Sequence, residues 1–338
     1  MICNPYESTT PPYGGPFTPV KGQQVRLREQ KAAGGKMFPG GFSLLEVPGE
    51  IGPAECTGPP NNPQKIACVL AAVDPETRCV RAGVVIRPGN AAPVNDGINA
   101  RFDIYESSHI RSLKENSKFA PSANVTKGKI PTGSSENKRC GGGKNEQTSE
   151  GAQTTTIPQD PCFASDVCGA ASNGDKRFGD GNIDGTLNTA LLNYWSTNHP
   201  GLSFPGGDPT GRTRFDVYRY EIDNNLIPNL SATGGETGRR RGSSADSAEI
   251  GQRCSGQEGV NNAVRDRREL LLAVVNCLHE DLHGSEGGRI VPVIDFAKMF
   301  ITEPVLGSSE STLWVEMLGT VEPGDESGIL HEFPVLYR

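Results

Sequence analysis

Residues His279-Glu280-Asp281-Leu282-His283 satisfy the pattern H-E-x-x-H. On a helix, histidines four apart share a face and can hold a zinc ion, leaving the glutamate to activate water as in a metallopeptidase. The flanking residues point elsewhere. A β-branched run ending at Cys277 precedes the motif, and Gly284, Gly287 and Gly288 follow it, where a zinc-binding helix would have to continue. A longer zinc motif would need a glycine at 286 and a histidine at 289, positions held by Glu286 and Arg289. A polar turn between two strands accounts for these residues with fewer assumptions, and zinc hydrolysis through His279, Glu280 and His283 stands as the alternative.

Asp180-Gly181-Asn182-Ile183-Asp184-Gly185 fits the opening of a calcium loop. Oxygen ligands at alternate positions, here Asp180, Asn182 and Asp184, can converge on a hard cation, and the glycine allows the sharp turn. The twelfth position is Leu191 rather than a bidentate glutamate. A Gly/Asp turn leading into a helix explains the same residues, so a calcium-dependent adhesive module is a second alternative and no cofactor is required. The Gly-rich run at Cys140 lacks the spacing of a phosphate-binding loop, and there is no G-x-S-x-G elbow. A cysteine nucleophile partnered by His109, His199 or His331 has nothing in the spacing to select it. No residue is assigned a catalytic role. The arginines at 239–241, 265, 267 and 268 read as solvated charges rather than a specific acidic-partner site.

Nine cysteines occur without a C-x-x-C pair or zinc-finger spacing. That usage fits an oxidising compartment with several disulfides. Cys162 and Cys168 are close enough to close a small loop, and Cys56, Cys68 and Cys79 bracket a region that could hold another bridge.

The elements that would position these groups are mostly strands. Alternation predicts strands over 23–29 and 101–105, and apolar runs predict others over 42–47, 80–86 and through the C-terminal blocks Leu270–Cys277, Val291–Pro304 and Leu313–Thr320. A short helix is expected over 65–73. The clearest helix runs over 186–198, where Leu187, Leu191, Tyr194 and Trp195 form one apolar stripe. Asp184 would cap it and Pro200 would stop it. The pattern Arg-Phe-Asp-x-Tyr occurs at 101–105 and again at 214–218, too short a match to mean duplication.

With 42 Gly and 26 Pro, the 338-residue chain favours turns and long loops over helical bundles. The expected class is α+β: a strand-dominated mixed domain with few helices, long polar loops and disulfides. Its parts would be a β-rich lobe over 1–112, a polar loop or linker over 113–160, and an α+β lobe over 161–338 with a long loop at 228–263, or these parts would form one continuous domain. A net charge of −7 argues against nucleic acid or an anionic membrane as partner. No apolar stretch approaches the ~18 residues needed to cross a bilayer. The opening Met1–Pro5 lacks the basic and apolar parts of a signal peptide.

Several short blocks, in this order, resemble the C-terminal half of TadG-type proteins of bacterial tight-adherence (Flp) pilus assembly. They are Met1-Ile2-Cys3-Asn4-Pro5-Tyr6-Glu7, Arg87-Pro88-Gly89-Asn90, Asn99–Tyr105, Ala120–Val125, Tyr194-Trp195, Arg219–Ile222 and the C-terminal blocks above. The resemblance implies a non-catalytic component of the cell envelope, in the periplasm or at the surface, acting through contact with other pilus-assembly or envelope proteins. It also implies a membrane tether if a longer form carries the helix that usually opens such proteins.

Overall fold

The computed structural model describes residues 1–29, 35–43, 45, 52–59, 62–73, 83–86, 92–102, 104–105, 107–122, 157–164, 166–170, 176–179, 186–199, 201–224, 226, 267–283, 288–305 and 312–321. Six strands close on themselves. They are β1 (Ile2–Cys3), β2 (Gln24–Glu29), β3 (Gly41–Phe42), β7 (Glu269–Val275), β9 (Asp295–Ile301) and β10 (Thr312–Thr320). The order β10-β9-β7-β1-β3-β2 is sealed by pairing of β10 with β2, so a barrel results. The β1–β7 and β2–β3 pairs are parallel and the others antiparallel. Beyond β2 the sheet continues as β6 (Lys176–Phe178) and β5 (Gly169–Ala170), because β2 pairs with β6 near Val25 and with β3 near Arg28.

Side-chain alternation decides which faces fill the barrel. Val25 and Leu27 of β2, Leu313, Val315 and Met317 of β10, and Ala297, Met299 and Ile301 of β9 form the interior with Ile2, Phe42 and Val274. The opposite faces carry Arg26, Trp314, Glu316 and Phe300, which meet outer layers. On one side, β4 (Gly83–Val85) and β8 (Ile290–Pro292) form a two-stranded sheet over Cys3, Val275 and Cys277. On another, α4 (Thr186–Asn198) and α5 (Arg214–Asp223) pack around Trp195, Tyr218 and Phe300. A third layer consists of α1 (Pro63–Ala71), α2 (Ala92–Ala100) and two short 3-10 turns around Tyr105 and Phe119. The one-turn α3 (Pro161–Ala164) lies beside β10, with Phe163 edge-on to Trp314.

The strand-dominated α+β class is thus what the chain adopts, with barrel strands drawn from both 1–112 and 161–338. The helix over 186–198 has the expected bounds, and the one expected over 65–73 runs from Pro63 to Ala71 with the Asn62 side chain accepting Gln64 N–H. Two expectations change. The described residues of the alternating run at 101–105 form no strand: α2 ends at Ala100, and the Arg101 and Phe102 amides bond back to Ile98 and Asn99 at 3.0 and 2.9 Å. Gly97 explains why a weak helix former is helical here, since a Cβ on it would lie 2.5 Å from Leu70 Cβ and 2.6 Å from the Ala67 carbonyl. Its bare backbone lets α2 settle on α1. The second Arg-Phe-Asp-x-Tyr copy opens α5, so the two copies differ in conformation. The expected polar linker also starts late, because Phe119 is fully buried and Ser122 bonds the Tyr218 hydroxyl.

Candidate functional site

The chain leaves β7 through a turn rather than a helix. Glu280 N–H donates to Asn276 O at 3.0 Å, Asp281 N–H to Leu278 O at 3.1 Å and Leu282 N–H to Cys277 O at 2.9 Å. Asp281 adopts a left-handed φ of 50° and His283 forms a bridge with Lys36. His279 and His283 therefore lack the common helix face that H-E-x-x-H chemistry uses. Glu280 is turned to Arg289, whose guanidinium lies 3.7 Å from its carboxylate and donates to its carbonyl at 2.7 Å. Asp281 pairs with Lys36 at 2.7 Å, which holds its carboxyl below the usual range. Among the described residues, no group of three His, Cys, Asp or Glu side chains could hold a metal.

Glu7, which the sequence did not single out, organises this turn. Its buried carboxylate accepts the Leu278 and His279 amides at 3.1 and 2.7 Å. Burial pushes its pKa up while those amides pull it back. Beside it Asn4 donates to Asn276 at 2.8 Å, and the Cys3–Cys277 disulfide joins strand to turn. Cys56–Cys68 and Cys162–Cys168 also pair. Among the described residues every cysteine is in a disulfide. Cys79 and the calcium candidates Asp180, Asn182 and Asp184 lie outside the described residues.

The arginines at 267 and 268 are not solvated charges. Arg267 is buried and donates to the carbonyls of Ala71, Ala72 and Ala120. Arg268 donates to Ile301 O and Thr302 O, and its guanidinium sits 4.6–5.0 Å from the rings of Phe102, Tyr218 and Phe300. Arg101 adds bonds to Leu70 O and Arg267 O. These cations satisfy carbonyls where the helical layers meet the barrel.

A second polar network roots the α4–α5 layer. Arg214 is fully buried between Asp160 and Glu316, with Glu316 Oε2 at 3.1 Å from its Nη1. Glu316 also accepts the Arg214 and Phe215 amides at 3.0 and 3.1 Å. A barrel-strand carboxylate thus occupies the positive end of α5. Burial pushes its pKa up, and Arg214 opposes that shift. Thr213 and Asp216 complete a capping box on the same helix end. The spacing Thr-x-x-Asp is readable in sequence and was the available signal for α5. Deeper in the layer, the buried Glu221 carboxylate lies 2.7 Å from His199 Nε2 and accepts the Tyr194 hydroxyl at 2.8 Å.

On the solvent side of this layer is a pocket of roughly 200 Å³ between α5 and the 204–212 loop. Phe204, Pro205 and Val217 form its apolar floor, and Tyr220, 39% exposed, stands at its rim against Trp195. Two arginines face it. Arg219 lies 3.6 Å from Asp223 one turn on, whereas the exposed Arg212 guanidinium has no ionic or hydrogen-bond partner among the described residues. Arg212 reaches over Gly206, where an added Cβ would come within 2.9 Å of its Nη2. Nothing in the sequence had marked this loop.

No family model, curated protein or solved structure matches the chain.

Proposed function

We propose that this protein is a non-catalytic assembly component of a bacterial cell envelope, of the tight-adherence pilus kind, working by contact with other proteins. Three disulfides carry the reading, because stable cystines belong to extracytoplasmic proteins and are rare in a reducing cytosol. The ordered sequence blocks that resemble TadG-type proteins supply the pilus connection. Several polar groups of the described residues are engaged within the fold: Glu280 meets Arg289, Arg214 meets Asp160 and Glu316, and His199 meets Glu221. Among the described residues, surface features that could meet partners include the pocket beside Tyr220 and the exposed Val167, Leu202 and Ile290.

Two measurements test this. Thiol titration of the denatured protein without reductant is expected to find at most three reactive cysteines of nine, since six are paired. Nine would remove the envelope assignment. Deletion of the coding sequence in its host is expected to abolish surface pili, with restoration by the wild-type chain; full piliation of the deletion strain would end the assembly reading.

A further inference from the structure

The pocket between α5 and the 204–212 loop combines an apolar floor with one cation, Arg212, that no described residue engages. Its volume, roughly 200 Å³, is below the ~300–1,000 Å³ of small-molecule sites and suits a single large side chain. The two carboxylates on its wall are already engaged. Asp216 accepts the Thr213 amide at 2.9 Å and lies 3.9 Å from Lys21, and Asp223 meets Arg219 at 3.6 Å. That leaves the Arg212 guanidinium as the recognition element, at the edge of a floor made by Phe204, Pro205 and Val217. Tyr220 offers a rigid, half-exposed ring of the type that anchors protein interfaces. Two residues before Phe204, the exposed Leu202 has its carbonyl tied to the Trp195 indole at 3.0 Å.

We propose that this pocket receives a segment of a partner polypeptide that places an aromatic or large aliphatic side chain on the apolar floor and a neighbouring acidic side chain against Arg212. The inference rests on the assembly reading and names the chemistry by which a partner would be held. An acidic group is selected because a guanidinium binds a carboxylate through paired N–H donors, and an apolar neighbour because Phe204, Pro205 and Val217 offer apolar surface between the charged walls.

The Trp195 indole N–H, bonded to Leu202 O beside the pocket, provides a reporter in nitrogen-15 NMR, with the Trp314 indole as internal reference. The intact protein is titrated with the blocked tetrapeptide acetyl-Gly-Asp-Phe-Gly-amide, with its Asn-Phe and Asp-Ala counterparts, and with N-acetylphenylalanine. The Asp-Phe peptide is expected to shift the Trp195 signal saturably. Replacing its aspartate by asparagine is expected to weaken binding roughly fivefold, the scale of a partly exposed ion pair. Arg212→Gln, an exposed substitution that leaves the core untouched, is expected to erase the Asp/Asn difference, and Arg212→Lys to restore part of it. No saturable shift, equal affinity for Asp and Asn peptides, tighter binding of N-acetylphenylalanine than of the peptide, or a shift that grows with protein concentration alone would each overturn the proposal. Piliation separates this idea from the one beneath it. A deletion strain that loses pili but is fully restored by Arg212→Gln, with no peptide binding, sinks the pocket and spares the assembly role. Pili that survive deletion, alongside Arg212-dependent peptide binding, do the reverse.

Discussion

Arg268 shows how a charged residue becomes structural. The residue is 1% exposed, and its guanidinium lies against three aromatic rings and donates to the carbonyls of Ile301, the last residue of β9, and Thr302. Planarity matters in this setting: a flat cation can stack on ring faces and reach acceptors in its own plane, whereas an ammonium offers a single strongly hydrated point. Arg268→Lys is therefore expected to lower unfolding free energy by about 2–4 kcal/mol, from stranded carbonyls and lost stacking. A urea titration checks this, and a change within ~0.5 kcal/mol would show that the rings do not need the planar cation. Nothing local in the sequence marks Arg268 as buried. Its partners come from positions 102, 218, 300, 301 and 302, and no local pattern connects them. Arg214 and Glu316 are in the same position, 102 residues apart in the chain yet both fully buried. By contrast Cys162 and Cys168 were legible as a pair, because six residues leave little room to be far apart.

Among elements, legibility follows where the stabilising contacts lie. The helix over 186–198 carries its own apolar stripe, and β2 its own alternation, so both could be recognised without knowing their neighbours. The helix over 92–100 carries no such signal and depends on Gly97 touching α1; the turn at 277–281 depends on Glu7, some 270 residues away. That turn makes a pH prediction. Burial raises the Glu7 pKa above its ordinary 4.5, so the folded protein holds that proton more tightly than the unfolded chain does. The stabilisation linked to this proton is complete below pH 4.5 and is lost as the pH rises through the raised folded value. Glu316, also raised by burial, acts in the same direction. The buried Met1 amine, lowered to about 5 by desolvation, acts in the opposite direction, so the Glu7 share is read as a difference: the stability of the wild type relative to Glu7→Gln is expected to decline as pH climbs from 4.5. An identical slope in Glu7→Gln would mean that other groups carry the effect.

For the molecule as a whole, the barrel needs a two-residue strand to close. Ile2–Cys3 bridges β7 on one side and β3 on the other, with register pairs Ile2↔Val274, Cys3↔Val275 and Ile2↔Phe42. So short a strand offers few ladder bonds, and other contacts must hold it in place: Asn4 bonded to Asn276, Glu7 across the turn, and above all the Cys3–Cys277 disulfide. The bridge has a sequence separation of 274 in a chain of 338 residues, so it restricts the unfolded ensemble more than the other two bridges among the described residues, with separations of 12 and 6. Removing it as the pair Cys3→Ala and Cys277→Ala is expected to cost about 5–6 kcal/mol on the chain-entropy argument, against roughly 2 kcal/mol for removing Cys162–Cys168. Because both sulfurs are fully buried, the double variant also leaves a small void that adds to the loss. Denaturant titrations of the two double variants, each oxidised at its remaining cysteines, give the comparison directly. If the long bridge proves no more stabilising than the six-residue one, closure of the barrel is maintained by the Asn4 and Glu7 contacts instead, and Glu7→Ala in the Cys3→Ala, Cys277→Ala background should then unfold the protein.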